Sequence, residues 1–212
     1  MTIVVSSTPA VSATVYNNIV TSVYALTKRP DLVTETAIAI RKATMKVHMA
    51  DFWKNDLSEI HYTLPVLAAT GVAFRYSLDL TDTVSFPLFR KVSHIKEWNN
   101  PLVGYEIQLK ELDADRILDD YALETINYWY QAGRQVSLRC NKLLVTLNIG
   151  YWKYPNIIPA TYSSWIAQDF PDIIIEEAAS AVFKVIGKDI EYTRLANNFQ
   201  ENIHMLTMTQ VG

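Results

Sequence analysis

The chain has one cysteine, Cys140, and six glycines among its 212 residues. A single cysteine excludes an intramolecular disulfide and any multi-cysteine zinc site, and it suits a reducing compartment. With so little glycine there is no glycine-rich linker, no GxxxxGK[ST] loop and no GxGxxG turn, so nucleotide binding has no motif behind it. Histidine is sparse too: His48, His61, His94 and His204 form neither HxH nor HExxH. No run approaches the ~20 apolar residues that cross a bilayer, so no membrane partner is expected. The opening MTIVVSSTPAVSA has small residues like a cleavage site, but it lacks a basic leader and its apolar run is only Ile3 to Val5; a signal peptide is not expected. Positive charge is not in excess. The net charge is −3 with a pI near 5.8, and Lys28-Arg29, Arg41-Lys42 and Arg90-Lys91 are the only adjacent basic pairs. A basic nucleic-acid-binding surface is therefore not indicated. Internal repeats and low-complexity blocks are also missing.

What is present is a folding chain. Hydrophobic residues make up 50% and charged residues 19% of the sequence, a balance that buries a core. From 12 to 27 the residues Val15, Tyr16, Ile19, Val20, Val23 and Tyr24 recur at spacings of three and four. This predicts an amphipathic helix with Ser12 as N-cap, ended by Pro30. A second helix is predicted over 32–53, with Asp31 or Thr34 as cap and Glu35 near its positive end. The short turn KRPD joins the two as an αα-hairpin. From Ile60 to Pro155 the pattern changes to short β-rich runs; in INYWYQAGRQVSLR, two of them flank a turn at Ala132-Gly133. The run 103–109 alternates well, 143–152 reads as another strand, and LDADRILDD fits a short helix or a loop. Helical period returns after Pro159. Ser163 or Ser164 fits a cap, Pro171 a first helical position, and Gly187 a left-handed stop for PDIIIEEAASAVFKVIG. A last helix from Asp189 carries Tyr192, Leu195, Phe199, Ile203 and Leu206 on one face, and LTMTQVG beyond it has no clear period.

The order helix–helix, β region, helix–helix fits an α+β fold with segregated layers. More sharply, it fits a four-helix bundle built from the two terminal hairpins, with an antiparallel β-sandwich or barrel-like domain inserted. The expected division is 1–59 plus 160–212 for the helical domain and 60–159 for the β domain.

Candidates for chemistry are few. His48 and Asp51, three apart on one helical face, have a spacing compatible with a metal pair or with hydrolysis, but such pairs are common by chance. Asp113, Asp115, Asp119 and Asp120 lack the central glycine and closing glutamate of a calcium loop. Ser163-Ser164 has no GxSxG setting, and Cys140 has no histidine signal beside it. No catalytic residue, metal or cofactor is expected. Tyr128-Trp129-Tyr130 and Tyr151-Trp152 suit a stacking platform for sugars or bases, or else strand cores and interfaces. In YWKYPNIIPATYSSWIAQDFPD, three prolines stiffen a connector in which Tyr151, Trp152, Tyr154, Trp165 and Phe170 are candidates for packing between domains or subunits. Trp165 is expected to be substantially buried.

TKRPDLVTETAIAIRKATMKVH and FPDIIIEEAASAVFKVIGKDIEYTRLANNFQENI, with YWYQAGRQVSLR and VTLNIGYWKYP between them, resemble the head–tail adaptor (connector) proteins of tailed bacteriophages. The likeness spans most of the chain and is closest to the short-tailed phage type, which carries a β domain on the helical bundle. Its motifs are packing patterns and not catalytic signatures. The resemblance implies a structural virion protein of the tail or neck, assembled in the bacterial host cytoplasm. Its partners would be the portal protein, a tail nozzle or tail tube protein, and its own copies in a homo-oligomeric ring, commonly of twelve. DNA would pass through without specific binding. The C-terminal segment would dock on the portal, which nominates Ile203, His204, Met205, Leu206, Met208 and Gln210. The alternative is a carbohydrate-binding, tail-associated module that uses exposed aromatics such as Trp129 and Trp152.

Overall fold

The computed structural model describes residues 12–64, 74–98, 108–112, 127–140 and 143–210. The chain divides into two compact units: Met1–Asp56 with Tyr154–Gly212, which is helical, and Leu57–Lys153, which is β. The run 103–109 and LDADRILDD lie mostly outside the described residues.

In the helical unit, α1 (Ser12–Thr27) buries Tyr16, Ile19 and Val23 along its apolar stripe. It ends before Pro30 is reached. Lys28 takes φ +56° and donates its N–H to the Tyr24 carbonyl at 2.9 Å, a left-handed stop usually given to glycine. Helix α2 (Val33–Met49) has Leu32 at its N-cap and no side-chain cap. Asp31 is instead held by the Arg29 guanidinium through two hydrogen bonds of 2.8 and 2.7 Å. The helix stops at Met49, short of Trp53, because the chain folds back. The Trp53 indole N–H donates to the Val47 carbonyl at 3.1 Å, and a 3₁₀ turn follows at Lys54–Asp56.

After a 3₁₀ turn at Pro159–Thr161 comes the short α3 (Trp165–Asp169), whose N-cap Ser164 accepts the Ala167 N–H at 3.1 Å. Pro171 opens α4 (Pro171–Val185), and Gly187 follows it at φ +74°. Helix α5 (Asp189–Gln210) then continues through LTMTQ, so this stretch is helix and not an irregular tail. Thr207 and Thr209 donate their hydroxyls back to the carbonyls of Ile203 and Leu206 at 2.9 Å.

This is not the expected four-helix bundle with an inserted sandwich. Five α-helices occur among the described residues, with a seven-stranded mixed sheet in place of a sandwich. The reason lies in α4. A bundle helix buries one stripe, whereas α4 buries Ile173, Ile174 and Ile175 in succession, then Ala178, Ala179 and Val182. Such a helix needs neighbours on several sides, and it has them in α5, α2 and α1. Helices α1 and α2 touch each other little and each packs on α4, so the N-terminal pair is not a self-contained hairpin.

The β unit also departs from the expected antiparallel sandwich or barrel. Its strands are β1 (Leu57–Thr63), β2 (Phe74–Asp79), β3 (Phe89–Glu97), β4 (Gln108–Glu111), β5 (Tyr128–Ala132), β6 (Gln135–Cys140) and β7 (Thr146–Lys153). They form one curled, mixed sheet in the order β1-β7-β3-β4-β5-β6-β2. Strand β4 makes it a single sheet. Its first half pairs antiparallel with β3 (Ile95↔Leu109), and its second half pairs parallel with β5 (Lys110↔Tyr128). Twist and this offset pairing curl the sheet round one core. Val92, Ile95, Leu147 and Ile149 enter that core from one side of β4, and Leu78, Trp129, Val136 and Leu138 from the other. The β5–β6 hairpin turns at Gly133-Arg134, one residue later than expected, with Gly133 at φ +61°.

Candidate functional site

Two features of the helical unit have the make-up of a site. The first is a buried polar network around His48 on α2. His48 Nδ1 lies 2.8 and 3.0 Å from the two carboxylate oxygens of Asp56, and Nε2 lies 2.9 Å from Ser164 Oγ. An acceptor-only carboxylate fixes the tautomer: Nδ1 carries the proton, and Nε2 accepts from the Ser164 hydroxyl. Asp56 also accepts the Trp165 indole N–H at 3.0 Å. His48 therefore meets Asp56 and not Asp51, whose Oδ1 accepts the Phe52 N–H at 2.7 Å. Among the described residues no cluster of metal ligands is formed.

Asp56, His48 and Ser164 stand in the relation of a hydrolytic triad, which is recognised by geometry and not by order in the chain. Access decides against that chemistry. His48, Asp56 and Ser164 are 1%, 3% and 3% exposed, and Ser164 Oγ already takes the capping N–H of α3. A seryl oxygen enclosed in this way offers a substrate carbonyl no approach, so the network ties α2, the 3₁₀ turn and α3 together. Next to it, Thr44 donates to the Ile40 carbonyl at 2.8 Å, which leaves its oxygen to accept the Tyr162 hydroxyl at 2.7 Å. Burial pushes the Tyr162 phenol up to about 12. Ser164 had a sequence signal as a cap. Asp56 had none, because only the turn beyond Met49 brings it back to His48.

The second feature is the C-terminal end of α5. On one flank, a groove of about 510 Å³ is lined by Lys42, Met45, Lys46 and Met49 of α2 and by Phe199 and Ile203 of α5. On the other, a groove of about 350 Å³ is lined by Asp169, Phe170, Pro171 and Asp172 and by Met205, Leu206 and Thr209 of α5. Of the nominated portal residues, Leu206 is buried and Ile203 half-buried, while His204, Met205 and Met208 are exposed. The side chain of Gln210 lies outside the described residues.

The nominated packing aromatics separate into two sets. Trp165 and Phe170 meet edge to face at 6.3 Å in the helical unit. Trp165 is partly buried, with its indole N–H on Asp56, and Phe170 is exposed. In the β unit, Tyr151 is buried against Phe86 and Phe89, and burial raises its phenol above the usual range. Trp152 of the same unit and Tyr154, the first residue of the returning helical unit, are half-buried. Trp129, offered as a sugar platform, is 2% exposed and donates its indole N–H to the Leu109 carbonyl at 3.2 Å, so it belongs to the sheet core. No protein-family model matches the sequence, and no curated protein matches it. The reading of function therefore rests on the chain's own residues.

Proposed function

We propose that the chain is a structural virion protein, a subunit of the adaptor ring that joins the portal to the tail nozzle or tail tube of a short-tailed phage. The observation that carries this reading is the apolar end of α5, where Met205, in the lining of one of two apolar grooves, and Met208 are 62% and 66% exposed. Exposed apolar side chains beside apolar grooves suit a place for another protein. The sequence resemblance supplies the identity of that protein. His204 and Met208, facing outward at the end of α5, serve the portal; neighbouring copies close the ring, commonly of twelve, and DNA passes through its lumen. The acidic balance of the chain, −3 overall, suits a channel that must not hold DNA.

Electron microscopy of the purified chain, alone and mixed with its cognate portal, tests this. Rings, or density added beneath the portal, are the expected result. A monomer that neither self-assembles nor binds the portal removes the reading.

A further inference from the structure

We infer that the two grooves beside α5 are the two halves of one head-to-tail interface between copies of this chain. The inference rests on the ring reading and deepens it by naming the surfaces that meet. At roughly 100° per residue, Gln200 and Ile203 fall on one flank of the buried stripe of Phe199 and Leu206, and Met205 and Thr209 fall on the other. The flanks face away from each other, as a heterologous contact requires, so that one side of a copy is free to meet the opposite side of the next.

Their chemistry matches. Both grooves are apolar at the centre, with Met45, Met49 and Ile203 in one and Phe170, Met205 and Leu206 in the other. Their charges are opposite: Lys42 and Lys46 line the first, and Asp169 and Asp172 line the second. Lys46 already holds Glu177 at 2.7 Å and lies 4.2 Å from the Phe199 ring centroid, so Lys42 is the lysine left to steer a neighbour. The exposed Met205 ridge of one copy enters the methionine-lined groove of the next, with Asp169 and Asp172 set toward Lys42. Complementary charge of this kind selects partner and register more than it adds affinity. Repeating a heterologous contact gives a ring if the rotation closes and a filament if it does not.

The test is charge exchange in trans, read by sedimentation velocity over a concentration series, or as occupancy on the cognate portal if the wild type alone is monomeric. Lys42→Glu and Asp169→Lys are exposed substitutions that should leave the helical circular dichroism and the melting temperature unchanged. Each alone is expected to weaken association by about tenfold or more. An equimolar mixture should restore it, because each damaged face then meets its complement and each intact face meets an intact one. Variants that assemble like the wild type, or a mixture that stays dissociated, overturn the pairing of these two faces while leaving the ring reading in place. A wild type that is monomeric alone and absent from the portal removes both.

Discussion

Tyr162 shows how one enclosed hydroxyl sets a response to pH. Its phenol is neutral when protonated, and burial, ahead of the opposing hydrogen bonds with Thr44 and Ser164, raises it from 10.0 to about 12. In the unfolded chain the group ionises near 10. Above that pH the unfolded state holds fewer protons than the folded one, so stability falls as pH rises. The contribution is whole below about pH 10 and is lost progressively up to about 12, an amount on the order of 2 kcal/mol. Tyr16, Tyr76 and Tyr151 are raised by burial too and add slope of the same sign. Tyr162→Phe loses the bond to Thr44 and should be less stable than wild type by about 1 kcal/mol at pH 8. Urea midpoints should show that gap closing and then reversing by about pH 11.5. A gap that stays constant with pH would show that the phenol is not held protonated by the fold. Ser164→Ala acts at the same locus without a titration. It removes the cap of α3 and the hydroxyl donated to His48, and should cost about 2 kcal/mol in chemical denaturation at neutral pH.

At the scale of elements, legibility followed how local the cause was. Helix α1 was readable from its one-sided spacing and α4 from Pro171 and Gly187, signals that act within a few residues. The end of α2 was not, since Met49 is followed by no glycine or proline and the stop comes from Trp53 folding back. In β3 the buried Phe89, Val92 and Ile95 fall three apart, a spacing that imitates a helix. Register shifts between Phe89 and Lys91, and between Val92 and His94, make this a bulged strand. The polar network was half legible, with Ser164 as a cap and His48 as a titratable group. Asp56 and the role of Gly150 come only from tertiary contact. Gly150 sits in β7, opposite His94 of β3, and the His94 ring covers it. A Cβ there would lie 2.6 Å from His94 Nδ1. Gly150→Ala should therefore drive the ring from its place 3.1 Å from Glu59, costing about 1–3 kcal/mol. Because the clash is with a side chain and not with backbone, His94→Ala in the same chain should recover most of that loss. A double-mutant cycle by urea unfolding measures the coupling, and additive losses would show that the crowding lies elsewhere.

For the whole molecule the decisive feature is how the β unit is strung into the helical one. The chain enters at Leu57, the first residue of β1, and leaves after Lys153, the last of β7. Leu57 pairs with Trp152 across the antiparallel ladder, so the two crossings lie one strand spacing apart, about 5 Å. Each unit has its own core. That of the helical unit is built from Ile19, Val23, Ile40, Val47, Ile174 and Phe199, and that of the β unit from Leu78, Ile95, Leu138 and Leu147. A pair of crossings so close together sets little demand on either core. Replacing 58–151 by a glycine-serine linker of about four residues should close the gap with a small loop-entropy cost. The product should keep its helical circular dichroism and a single cooperative urea transition, with the m-value reduced in step with the surface removed. It should also keep Tyr162 protonated above pH 10, since Thr44 and Ser164 remain in the same unit. A product that is helical but melts without cooperativity would mean that the helical unit does not fold cooperatively without the inserted sheet. The two units would then have to be treated as one folding body.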